Sequence, residues 1–137
     1  MINNKKIILP PDMDKECVEL CEKLNSLSHV ETYESCCGHL KDRYMIFFWC
    51  DDFVRLAKLF RCVNHNYSDG KWEILVDGSD VHPTYGFWLR SIEPFKTTEE
   101  MMESIHGLIK RIDTWENPKF NKYFESNNYR TFPEDCI

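Results

Sequence analysis

Between two apolar stretches lies the run Glu34-Ser35-Cys36-Cys37-Gly38-His39, with Lys41 and Arg43 close behind. A hydroxyl, two thiols and an imidazole surround the one residue of that run whose backbone turns freely. Three chemistries are open to such a set. The first is covalent: a cysteine becomes a nucleophile when a base or a positive charge favours its thiolate. His39 follows Cys37 by two residues with Gly38 between, and Lys41 and Arg43 add positive potential. Cys37 and His39 are therefore the candidate catalytic pair. The plain alternative is that Cys36 packs inward and Cys37 is merely small enough to be tolerated.

The second chemistry is metal binding. Cys36, Cys37 and His39 are soft ligands, and Cys50, Cys62, His29, His65 or His82 offer a fourth. The spacing argues against a structural zinc ion, because such sites take cysteines two to four residues apart. Adjacent cysteines in extended chain point to opposite faces, so no metal is expected. Cys17 and Cys21 do share a helical face, but it is the apolar one, where thiols are buried and inert.

The third chemistry is recognition. The Ser35 hydroxyl, the amides around Gly38 and the His39 imidazole make a row of donors suited to a phosphate, a carboxylate or a nucleotide edge. The candidate ligand-binding residues are Ser35, Cys36, Cys37, Gly38, His39, Lys41 and Arg43. His82 and Tyr85 join them, because they lie at the start of the fourth strand and can face the loop across the sheet end. The alternative is an ordinary turn whose glycine supplies a positive φ.

The elements that must hold this run are legible from periodicity. Met13, Cys17, Leu20, Leu24 and Leu27 recur at spacings of 4, 3, 4 and 3, which predicts a helix with one buried stripe, capped by Asp12 or Asp14. Strands follow at 30–35 and 44–50. Asp51 or Asp52 caps a second helix carrying Phe53, Leu56, Leu59, Phe60 and Val63. Ser68-Asp69-Gly70 is a turn, 72–76 a third strand and 85–92 a fourth. Thr97 and Glu100 form a capping box before a helix bearing Met101, Ile105, Leu108, Ile112 and Trp115. Asn117-Pro118 ends it, and a short last helix is expected over 119–128.

This order predicts an α+β two-layer sandwich, αββαββα, with a four-stranded, mostly antiparallel sheet and helices on one face. The consecutive rings Phe47, Phe48 and Trp49 alternate between faces, Phe48 on one side and its neighbours on the other. Such rings are chiefly core, though a ring-rich face can also stack a base.

Bulk properties bound the function. At 137 residues the chain suits a single domain (1–137, with 129–137 a loosely held tail) and 42% hydrophobic residues suit a packed globule. The net charge of −6 opposes generic nucleic-acid binding, leaving only a local patch for it. No apolar run reaches the roughly 20 residues of a membrane span. Seven cysteines without regular spacing, and no signal-peptide core, point to a reducing cytoplasm. A small polar molecule is the expected partner, and the oligomeric state is left open.

Leu24-Asn25, Val30-Glu31-Thr32 and Ser35-Cys36-Cys37-Gly38-His39 together resemble a segment of the third wybutosine-synthesis enzyme family. In that family a helix ending near Ile-Asn precedes a Val-Thr-Thr strand and the loop Ser-Ser-Cys-Ser-Gly-Arg. The likeness spans residues 15–50 and matches Ser35, Cys36 and Gly38. His39 stands where the family has arginine, and Glu34 where it has serine. It implies a small α/β domain, S-adenosylmethionine as cofactor and methylation of a modified guanine in tRNA. The residues and the resemblance together leave three functional expectations. They are a domain binding a nucleotide or nucleoside derivative at the loop, a methyltransferase-like or thiol-dependent enzyme there, and a protein-interaction module.

Overall fold

A computed structural model describes residues 8–77 and 86–119. The elements are α1 (Lys15–Asn25), β1 (Val30–Cys36), β2 (Met45–Cys50), α2 (Phe53–Val63), β3 (Trp72–Val76), β4 (Gly86–Ser91) and α3 (Thr98–Trp115). The four strands form one sheet in the order β1-β2-β4-β3, and every neighbouring pair is antiparallel. The expected α+β order αββαββα is the one the chain adopts. His82, Tyr85, the tail 129–137 and nearly all of the segment 119–128 lie outside the described residues.

Because β4 pairs antiparallel with both β2 and β3, those two run the same way with β4 between them. Parallel strands need a long crossover, and α2 supplies it, making a split βαβ unit. The preceding α1 packs on β1, and α3 lies against both α1 and α2. The three helices bury Cys17, Leu20, Leu24, Leu59, Cys62, Met101, Ile105 and Leu108 against Val30, Ile46, Phe48, Trp72, Ile74 and Leu89. Those sheet residues share one face, as a period of two requires.

Local chemistry sets the helix starts. Asp52 caps α2 by accepting the Arg55 N–H at 2.9 Å, and Thr97 caps α3 by accepting that of Glu100 at 3.0 Å, both as the sequence predicts. Asp51 has another task, lying 2.8 Å from His29 Nδ1. That contact pins the end of the β1–β2 hairpin farthest from the Cys-Cys turn.

One expectation for α2 is corrected. Its buried face is Lys58, Leu59, Cys62 and Val63, while Phe53 is 76% and Phe60 41% exposed. The reason is topological: among the described residues β3 is the sheet's edge, so none of their strands lies beneath the outer rim of the helix. Phe53, Leu56 and Phe60 instead line a cleft of about 490 Å³ above Trp72 and Ile74.

The sheet face turned from the helices carries rings. Phe47 is fully buried there among Tyr33, Trp49 and Trp88, with edge-on contacts of 5.8, 5.0 and 5.1 Å between centroids. Edge-to-face packing of this kind favours the ring quadrupoles. Phe47 and Trp49 thus oppose Phe48, as alternation requires, and Phe47 is core.

Candidate functional site

The Cys-Cys run forms the tip of the β1–β2 hairpin, and its backbone is unusual. Gly38, His39 and Leu40 have φ of 80°, 53° and 64°, one left-handed turn closed by the Lys41 and Asp42 N–H groups, which donate to the Gly38 carbonyl at 3.0 and 2.9 Å. Left-handed backbone costs a non-glycine residue roughly 1–2 kcal/mol, so His39 and Leu40 are both strained. Gly38 is obligatory: a Cβ there would meet the Arg43 carbonyl oxygen at 2.9 Å.

Bonds to the rest of the fold over-determine the tip. Buried Tyr44 donates its hydroxyl to the Glu16 carbonyl of α1 at 2.9 Å, and its N–H to Ser91 Oγ at 2.9 Å. Arg43 Nε donates to the Ile92 carbonyl at 3.0 Å. Such surroundings are what allow strained backbone to persist, and strain of this kind concentrates at functional positions.

The decisive partner comes from outside the run. Asp14 occupies the cap position of α1, but its carboxylate makes no capping bond. Its Oδ2 accepts the Cys37 N–H at 2.9 Å and lies 3.7 Å from His39 Nε2. The Cys37 amide, with His39 and Cys36 nearby, holds the Asp14 carboxyl below the usual carboxylate range; hydrogen bonds to the charged form act in that direction. The other ring nitrogen of His39, Nδ1, is 3.6 Å from Cys37 Sγ. One ligand atom each from Asp14, Cys36 and His39 lie within 4.8 Å of one another. Among the described residues, no other three His, Cys, Asp or Glu side chains do so.

Several predicted site residues take other places. A β-bulge at Tyr33, between Thr32 and Glu34, shifts the alternation of β1 by one. Ser35 therefore pairs with Ile46 and turns toward the sulfurs of Cys17 and Cys21. Cys37 is buried at 4% exposure, and burial pushes its thiol up, opposite to what a nucleophile at neutral pH requires. Cys36 is exposed, and its sulfur accepts the Gly38 N–H at 3.4 Å. Lys41 and Arg43 are exposed beside the tip. The structure thus brings together Cys36, Gly38 and His39, adds Asp14, and turns Ser35 toward the thiols of α1.

The expectation against structural zinc rested on Cys36 and Cys37 diverging, and one is exposed while the other is buried. Spacing rules within the run cannot reach Asp14, which stands 22 residues before Cys36. It comes near only because α1 packs on β1. Its local signal was that of a helix cap.

Compared with known protein families, curated proteins and solved structures, the chain matches none. Among the described residues no helix is long and apolar enough to cross a membrane.

Proposed function

We propose that the protein is a small ligand-binding domain whose recognition element is the β1–β2 tip, completed by Asp14 from the head of α1. The observation that carries this reading is the convergence of Asp14, Cys36 and His39 on a strained, firmly held turn. The chemistry differs from an open row of amides. The Cys37 N–H is engaged by Asp14 and the Gly38 N–H by Cys36, so side chains meet the guest. Asp14 already occupies the place of an anion, which disfavours a phosphate there. A nucleotide or nucleoside derivative would set its base or ribose donors against Asp14 and His39, with any phosphate toward Lys41 and Arg43.

The test is thermal shift with nucleotides, nucleosides, S-adenosylmethionine and divalent cations, on the wild type and on His39→Ala. A rise in melting temperature that His39→Ala abolishes supports the reading. It is overturned if no compound shifts the wild type, or if His39→Ala responds identically.

A second reading is favoured by the cleft between α2 and β3, lined by Phe53, Leu56, Phe60, Trp72 and Ile74. An apolar groove beside an edge strand suits a protein partner. Under it, Phe53→Asp lowers association measured by sedimentation and leaves the tip's ligand response intact.

A further inference from the structure

The chemistry of the three convergent donors narrows the ligand class, an inference that rests on the binding reading above. We propose that Asp14, Cys36 and His39 bind a divalent, borderline-soft metal ion of the zinc class. The Asp14 carboxylate, the Cys36 thiolate and His39 Nε2 are its ligands, and a fourth position opens to solvent.

Donor atoms sharing one tetrahedral zinc ion stand about 3.3–3.8 Å apart, given metal–ligand lengths of about 2.0–2.3 Å. His39 Nε2 and Asp14 Oδ2 are 3.7 Å apart already. All three ligand atoms fall within 4.8 Å, so closure asks for a movement of about 1 Å by side chains at the surface. The His39 side chain is 65% exposed and that of Asp14 27%, which gives an ion a path in.

The imidazole is oriented as a ligand. A metal-bound histidine engages its second nitrogen with a partner that fixes ring and tautomer. Here Nδ1 faces Cys37 Sγ at 3.6 Å, so with the proton on Nδ1 the Nε2 lone pair points at Asp14. Buried Cys37 acts as a positioning residue, and the left-handed conformation of His39 turns the ring back onto α1. When the ion binds, the sulfur–metal bond replaces the Cys36 S–H bond and that proton leaves to solvent.

The donor set also selects among ions. One thiolate, one imidazole and one carboxylate favour zinc, cobalt or copper and give no advantage to magnesium or calcium, which prefer oxygen cages. Three protein ligands with one open position are the pattern of zinc sites that hold an exchangeable fourth group.

Cobalt(II) reports a thiolate ligand directly through a sulfur-to-metal absorption band. The full chain, treated with chelator and a non-thiol reductant, is titrated with cobalt(II) and then back-titrated with zinc. The expected result is a one-to-one endpoint with that band, displaced by zinc and untouched by magnesium. Cys36→Ser removes the band, and Asp14→Asn or His39→Ala weakens binding by roughly 100-fold. His106→Ala, a histidine paired with Glu19, leaves both unchanged. Circular dichroism on each variant separates lost binding from lost fold.

The inference is overturned if no band appears, or if Cys36→Ser and His39→Ala bind cobalt as tightly as the wild type. If it is overturned while a metal-free organic ligand still raises the melting temperature through His39, the binding reading stands without the metal. If neither metal nor organic ligand depends on His39, both fall.

Discussion

At the scale of single residues, the turn Gly38-His39-Leu40 holds energy that the fold does not need for its own stability. Leu40 sits at φ 64° and is 39% exposed, so its partial burial offsets part of the strain. Leu40→Gly is predicted to change stability by less than about 1 kcal/mol, because relief of left-handed backbone is offset by the freedom of an unfolded glycine and the lost burial of the leucine side chain. Gly38→Ala is predicted to lower it by about 2–3 kcal/mol, since φ is 80° and the new methyl strikes the Arg43 carbonyl. Urea denaturation of the two variants measures both, and equal effects of one sign would contradict this account of the turn. Strain kept where glycine would relieve it is the pattern expected of a functional position.

Much of this was legible in the chain and part was not. Gly38 beside two thiols and an imidazole announced a turn with chemistry. The bulge at Tyr33 carries no glycine or proline signal, so nothing local told that Ser35 would turn toward the thiols of α1. Asp14 was readable only as a cap, because its role depends on how α1 lies against β1.

At the scale of elements, a polar chain running from the core to the surface fixes how α3 meets the sheet. Trp72 Nε1 on β3 donates to Ser104 Oγ on α3 at 2.8 Å. The Ser104 hydroxyl then donates to Asp69 Oδ2 in the α2–β3 connection at 2.7 Å. Asp69 Oδ1 accepts the Lys71 N–H at 3.0 Å, so one carboxylate shapes the turn and anchors the helix. Ser104→Ala strands a buried indole N–H and is predicted to cost about 1–3 kcal/mol, read by the same denaturation. A loss under about 0.5 kcal/mol, the scale of ordinary surface substitutions, would show that the chain is not structural. The apolar stripes of α1 and α3 and the caps Asp52 and Thr97 were readable because each is a local pattern. The buried arc of α2 was not, because it depends on β3 being the last strand, a property of strand order alone.

At the scale of the molecule, buried thiols give the fold a distinctive response to alkali. Burial pushes Cys21 up to about 11 and Cys62 up to about 12, against 9.0 for an exposed thiol. A raised folded value means that the folded state keeps protons the unfolded state releases. Stability is therefore full below about pH 9 and falls as pH rises toward 11–12, each thiol adding a slope of up to about 1.4 kcal/mol per pH unit. Melting temperature under reducing conditions should fall over that window, and less steeply in Cys62→Ala. A flat profile between pH 9 and 11 would contradict the burial of these thiols. The acidic balance of the chain, −6 overall, acts in the same global sense by favouring a cationic guest over an anionic one.

The central claim is that the first hairpin tip and the head of α1 form one site. Zinc titration of the isotope-labelled protein, followed by amide nitrogen–proton NMR, tests it most directly. The account predicts saturable changes at Asp14 and at 36–40, reached near one equivalent, with His65 and His106 unmoved. Changes confined to those other histidines, or absent at one equivalent, would contradict it.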